Sequence, residues 1–312
     1  MNLLRPLRAG QTSSLVTSIA GSPKVLKRIR SSPNTRVYYA ETAHFPEALC
    51  IKVFLDSDTG ALAPAIAAAN YSAMARLWDV AACNPIFGTP RPIALYSDQA
   101  TTVSEWISGQ TISRRVNGVP AETIFEGAGA WLAALHASNK RSLRPIDTDA
   151  KIAHLVDKLP AQLLKGLHPT LELLRRTSSR LGPTDWALVH GDFKPSNVIY
   201  SKGKIFGLDS SPEHEDTCVS DLAHFVNHLR MQLERPSWWG ANPDRMVAAF
   251  LSGYGGNISQ LQLIWVQLES ALRLLAKVRT WSRPPMSWYA EFTLLRLTKQ
   301  LSGSLRDLAG NL

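Results

Sequence analysis

The feature that most constrains this chain is a polar loop feeding a hairpin, in the stretch from Leu188 to Phe225 and within it HGDFKPSN at His190 to Asn197. Two short apolar runs, 197–200 and 205–208, flank Ser-Lys-Gly-Lys at 201–204, which predicts a β-hairpin closed by a tight glycine turn. Asp192 and Asn197 lie on the loop entering the first strand, and Asp209 leaves the second. The hairpin is therefore expected to bring all three side chains to one end. The plain alternative is a chance hairpin with His190 buried and the acids exposed.

Two carboxylates and an amide at one point suit the holding of Mg²⁺ on a polyphosphate while a carboxylate accepts a hydroxyl proton. Oxygen donors of this hardness rarely serve zinc. The interval from Asp192 to Asn197 equals that between the base and the metal-binding Asn of the protein-kinase loop H-R-D-x-x-x-x-N, and Asp209 stands where the second metal ligand follows. With Gly191 in place of the Arg, the loop resembles that of the aminoglycoside phosphotransferase and choline kinase superfamily of small-molecule kinases. The resemblance implies an α+β, bilobal protein-kinase-like fold, with a small antiparallel-sheet lobe and a larger helical lobe. It further implies ATP and Mg²⁺ as cofactors, Asp192 as the base, and Asn197 and Asp209 as metal ligands. Lys194 either offsets charge on the transferred group or is a solvated loop lysine.

The rest of the chain is read against that expectation. Val25–Ile29 and Val37–Ala40 are expected as strands joined by a turn at 30–35, which in a kinase would lie over the phosphates but here carries Ser31, Ser32 and Asn34 in place of glycines. In the hydrophobic strand 48–54, Lys52 is the one cation, where V-A-I-K places the lysine that reaches the α/β-phosphates. An Ala-rich helix is expected over 61–82. It has no Glu to orient Lys52, and Asn70 stands where that Glu is looked for. Glu105-Trp-Ile-Ser-Gly109 resembles the superfamily hinge, which implies adenine recognition by the Glu105 carbonyl and the Ile107 amide. An amphipathic helix at 121–138 ends in Leu135-His136, with His136 read as a core or capping residue. Residues 139–185 read as further helix broken at Pro160 and Pro169. Asp221 either caps the next helix or supports the catalytic loop from behind. The late helices form the acceptor pocket in this superfamily, which makes Trp281 to Tyr289 a candidate substrate contact.

The expected division is an N-terminal extension at 1–24, a nucleotide-binding lobe at 25–104, and a hinge with the catalytic and acceptor lobe at 105–312. Residues 1–40 hold seven Arg or Lys and no acid, the composition of a transit peptide, but strand-like alternation from Val25 confines any removable leader to about the first twenty residues. Three cysteines, far apart and without a C-x-x-C pair, indicate neither a disulfide framework nor a zinc site, and point to a reducing, cytoplasmic setting. The net charge of +9 favours anionic partners, yet the basic residues are dispersed, so no nucleic-acid partner is expected. No apolar run reaches the ~18 residues of a membrane span; the richest, Leu261 to Thr280, carries Glu269, Arg273, Lys277 and Arg279. Only eleven residues separate Asp209 from Asp221, too few for the substrate segment of a protein kinase, so the expected partner is a small-molecule hydroxyl acceptor. Two other readings stay open. The missing helix Glu and loop glycines favour a nucleotide-binding pseudokinase, and the K-P-S-N ending of the loop suggests a protein kinase.

Overall fold

The computed structural model describes residues 16–21, 23–82, 87–138, 142–210, 215–234, 238, 240–278 and 286–310. The chain divides into two compact units, 1–110 with 199–213, and 111–198 with 214–312.

In the first unit β1 (Val25–Ser31), β2 (Thr35–Glu41), β3 (Leu49–Phe54), β5 (Pro92–Tyr96) and β6 (Thr101–Glu105) form an antiparallel sheet in the order β1-β2-β3-β6-β5. Period-two alternation in β3 decides its faces. Leu49, Ile51 and Val53 enter a core with Tyr38, Ala40 and Val103, which leaves Cys50 and Lys52 on the opposite face. Residues 16–20, expected to lie outside the lobe, form a helical turn, α1, whose Val16 and Ala20 are buried in that same core. The turn between β1 and β2 is closed by Ser32 N donating to Thr35 O at 2.9 Å. The next helix, α2 (Pro64–Ala82), starts three residues later than the Ala-rich pattern suggests. Leu62 is held in a bridge to Leu55 and Ala63 N donates to Phe54 O, after which Pro64 sets the first helical φ.

A second sheet runs β4-β11-β10-β7, from β4 (Phe87–Gly88), β7 (Gln110–Thr111), β10 (Val198–Ser201) and β11 (Lys204–Gly207). The expected hairpin is β10–β11. Lys202 and Gly203 both take left-handed φ, 47° and 81°, the signature of a two-residue type I′ turn. The units divide after Gln110 rather than Ser104, and segment 199–213 belongs with the first unit.

The second unit holds α3 (Ala121–Ser138), α4 (Thr148–Lys158), α5 (Ala161–Ser178), α6 (Cys218–Leu233), α7 (Pro243–Tyr254), α8 (Gln260–Val278) and α9 (Met286–Gly310). A small sheet, β12-β9-β8, joins β8 (Ser142–Arg144), β9 (Thr184–Leu188) and β12 (Glu215–Thr217); β8 and the start of β9 fall within 139–185, where helix was expected. Pro160 separates α4 from α5, but Pro169 lies inside α5. It sits on the exposed side with Lys165, whose carbonyl loses its helical donor where water can replace it, while Leu167, Leu171 and Leu174 anchor the other face. Helices α3 and α7 run in the same direction, from Glu122 paired with Arg245 to His136 bonded to Tyr254. Gly129 and Gly253 permit this approach: a Cβ on either would come within 3.0 Å of the other helix's backbone. No described helix is long and apolar enough to cross a membrane.

Candidate active site

The loop from His190 to Asn197 is fixed from below and behind. Phe193 is fully buried and stacks on Trp131 of α3 at 5.4 Å, on Phe225 of α6 at 5.1 Å and on Phe250 of α7 at 6.5 Å. Burying this ring turns its neighbours Asp192 and Lys194 toward solvent. Behind the loop, Asp221 is 2% exposed and accepts from the amides of His190 at 2.6 Å and Gly191 at 2.9 Å. Helix α6 is capped by Thr217, whose Oγ1 accepts from Val219 N. This corrects the capping reading of Asp221: one turn into the helix, it braces the loop. Gly191 takes φ 77°, a conformation costing other residues roughly 1–2 kcal/mol, which accounts for glycine where protein kinases carry Arg.

A third donor reaches Asp221. His136 Nε2 lies 3.1 Å from Oδ2, and its Nδ1 is 3.0 Å from the Tyr254 hydroxyl. Burial disfavours the charged imidazole, but the Asp221 carboxylate and the Cys218 side chain together outweigh it and His136 is pushed up to about 9. Burial likewise opposes the charge of Asp221, and His136 brings its net shift downward. His136 is thus a buried structural partner.

Asp192, Lys194 and Asn197 come together in the second unit. Lys194 Nζ reaches both Asp192 oxygens, at 2.8 and 2.6 Å, so it is no merely solvated lysine. Asn197, held on a turn of 3₁₀-helix at Pro195–Asn197, donates its Nδ2 to the Asp192 carbonyl at 3.0 Å and to Oδ2 at 2.9 Å. With the amide nitrogen so fixed, Asn197 Oδ1 faces away from the carboxylate. It is a hard oxygen, and this donor chemistry fits Mg²⁺. His224, one turn after Asp221 on α6, brings Nε2 to 3.3 Å from Asp192 Oδ1. Partial burial raises the Asp192 pKa, but His224 and Lys194 together hold it well below the usual carboxylate range. Sequence reading missed His224. The signal was its i+3 spacing from Asp221, which puts both on one helix face. The His228 ring lies 4.5 Å from that of His224, tilted by 59°, and burial with the neighbouring positive groups pulls it down to about 3, so it stays neutral.

Lys52 and Asp209 come together in the first unit as a direct ion pair. Burial opposes the Lys52 charge, yet Asp209 raises its pKa overall. Asp209 itself takes a left-handed φ of 58°, backbone strain of the kind found at functional sites. Among the described residues Asn70 makes no hydrogen bond to Lys52, which is taken by Asp209. Glu105 ends β6, its amide donating to Arg91 O and its carboxylate accepting from Arg91 N at 3.4 Å. Ile107 follows it with a buried side chain. Of Trp281 to Tyr289, residues 281–285 lie outside the described residues, while Trp288 and Tyr289 stand exposed on α9.

Sheet-rich first unit, helical second unit and the HGD loop between β9 and β10 together define an α+β chain of the protein-kinase-like fold. The chain belongs to the phosphotransferase enzyme family, whose profile matches residues 25–264. No match to a curated protein sequence was found. Among solved structures, it is similar to the choline kinase LicA from Streptococcus pneumoniae, with TM-score 0.62, 14% identity, and 94% of this chain and 99% of that one covered. It is similar also to aminoglycoside phosphotransferase APH(4)-Ia, with TM-score 0.65, 14% identity and coverage of 95% and 99%. A glucosamine kinase in complex with glucosamine, ADP and inorganic phosphate gives TM-score 0.61, 16% identity and coverage of 96% and 87%.

Proposed function

We propose that this phosphotransferase moves the γ-phosphoryl group of ATP onto a hydroxyl of a small molecule. The observation that carries the reading is the Asp192 carboxylate, kept ionised and aimed by Lys194, Asn197 and His224 on a loop whose backbone is clamped by Asp221. A carboxylate of such low basicity is suited to accepting a hydrogen bond from the acceptor hydroxyl and orienting it in line; the proton passes to it late, as the new P–O bond forms. Lys194, already at this carboxylate, supplies positive charge beside the transferred group. Asn197 and Asp209 are the residues that would hold Mg²⁺, which neutralises charge on the phosphates when bound. Lys52 is assigned to the α/β-phosphates, and the Glu105 carbonyl and Ile107 amide to adenine.

The nature of the acceptor follows from the short interval between Asp209 and Asp221 and from the relatives, a choline kinase, a glucosamine kinase and an aminoglycoside phosphotransferase. A sugar, amino alcohol or antibiotic-like compound fits better than a polypeptide. The absence of any Glu from α2 favours a second reading, nucleotide binding without turnover. Incubation with ATP, Mg²⁺ and a panel of sugars, amino alcohols, antibiotics and protein substrates, read as ADP release, separates these. Acceptor-dependent ADP release from small molecules is expected. Release only with proteins would overturn the acceptor class, and nucleotide binding without release would establish the second reading.

A further inference from the structure

In the first unit, the turn between β1 and β2 carries no glycine, and two of its amides are already engaged. Ser32 N donates to Thr35 O at 2.9 Å and Thr35 N donates to Ser32 Oγ at 3.0 Å, while the Arg36 guanidinium donates to Ser32 O. Neither amide is open to a phosphate, which leaves side chains as the source of positive charge on this strand pair.

The register of β1 decides which side chain that is. Arg28 lies opposite Tyr38 and Arg30 opposite Val37, so Ile29 is the extra residue of a β-bulge. Directly opposed residues of an antiparallel pair share a face. Tyr38 in turn lies opposite Ile51, and both are buried in the core of this unit, whereas Val37 lies opposite Lys52. Strict alternation would have kept Arg28 and Arg30 on one face. The bulge separates them: Arg28 stays in line with Tyr38 and Ile51, and Arg30 is carried into line with Val37 and Lys52.

Arg30 and Lys52 thus stand two strands apart on one face, about 10 Å between backbones at the usual strand spacing, with half-buried Val37 between them. Both side chains are long enough to lean toward a common anion. Their charges already act on each other: burial and Arg30 disfavour the Lys52 ammonium, while Asp209 and Cys50 favour it. The Asp209 carboxylate is on Lys52. Arg30 is exposed and, among the described residues, makes no hydrogen bond or ion pair. A second cation held on the Lys52 face without a carboxylate of its own suits an anion with several charged groups.

We propose that Arg30 is a second phosphate-binding residue of the nucleotide site, gripping the polyphosphate of ATP together with Lys52 and serving where a glycine-rich turn would use its backbone amides. A guanidinium presents paired N–H donors that match phosphate oxygens, so Arg30 acts as a directional ligand as well as a charge. The inference rests on the reading of Lys52 as the nucleotide lysine, and it holds with or without turnover.

Calorimetric titration of the full chain with ATP in the presence of Mg²⁺, and with adenosine, tests it. Arg30→Gln should weaken ATP binding about ten- to a hundredfold, the usual worth of a hydrogen bond to a charged group, and leave adenosine affinity and melting temperature unchanged. Arg30→Lys, which keeps the charge and loses the fork, should fall between the Gln variant and the wild type. Arg28→Gln removes the same charge from the other face of the strand and should leave ATP affinity close to that of the wild type. Unchanged ATP affinity in Arg30→Gln would overturn the proposal and reduce Arg30 to a cation guarding the sheet edge that β1 forms. Equal losses in Arg28→Gln and Arg30→Gln would overturn it as a response to net charge, and a parallel loss of adenosine affinity would overturn it as a structural effect. A wild-type chain that binds no ATP would instead remove the nucleotide reading itself, and the role of Arg30 with it.

Discussion

His136 of α3 and Asp221 of α6 form a buried ion pair, Nε2 to Oδ2 at 3.1 Å, through the same carboxylate that clamps the amides of His190 and Gly191. Charge buried in the helical core thus sets the backbone of the loop that carries Asp192.

The pair makes stability depend on pH in a stated direction. With His136 raised to about 9, its contribution is complete below its ordinary value of ~6.5 and is lost as pH climbs through 9. Asp221, shifted downward, contributes above ~3.9 and loses that contribution as pH falls. The alkaline loss from His136 is at most about 3 kcal/mol. Melting temperatures taken from pH 6 to 10 should fall more steeply for the wild type than for His136→Gln, and parallel slopes would count against the pair.

Asp192→Asn should lower turnover by about 10²- to 10⁴-fold, the usual worth of a positioned acid or base. Asp209→Asn should also weaken Mg²⁺-dependent nucleotide binding, since it alters both the proposed metal ligand and the partner of Lys52. ADP release and nucleotide titration measure the two effects. Near-normal turnover in both variants would end the mechanism.

His224 helps hold the Asp192 pKa down, so its removal should raise that pKa. Activity that requires ionised Asp192 is lost as pH falls through its folded pKa. The acidic limb of the kcat profile should therefore move to higher pH in His224→Ala, and less so in His224→Gln, which can keep the hydrogen bond. An unmoved limb would assign His224 to packing alone.

Gly253→Ala should destabilise, although Ala for Gly inside a helix ordinarily stabilises by ~1 kcal/mol. The new methyl would fall within 3.0 Å of the Glu126 backbone on α3, an overpacking that costs about 1–3 kcal/mol. A melting temperature at or above that of the wild type would contradict the close contact of α3 and α7.

The parts of this fold legible in the sequence are those whose spatial relations copy their spacing along the chain. The β10–β11 turn is read from Lys202-Gly203, and α3 occupies the residues its apolar period marks. The HGD loop is read in the same way, because Asp192 and Asn197 meet across a single 3₁₀ turn. What stayed hidden depends on distant partners. Phe193 looks like any loop aromatic until α3, α6 and α7 supply Trp131, Phe225 and Phe250 around it. Strands β8 and β12, three residues each, are too short to show alternation. Pro169 signals a break by its chemistry, and only the exposure of its helix face permits it.

The path of the chain through β10 bears on how the protein can be divided. Asp192 and Asn197 belong to one compact unit, and from Ile199 the hairpin carrying Asp209 belongs to the other. A fragment ending at Gln110 would lack β10 and β11, leaving β4 without its strand neighbour and Lys52 without its carboxylate. The first unit is therefore no detachable cassette. Any split version, graft or circular permutant must carry residues 199–213 with it, so a gene cut at the first boundary would separate two stretches that fold as one body.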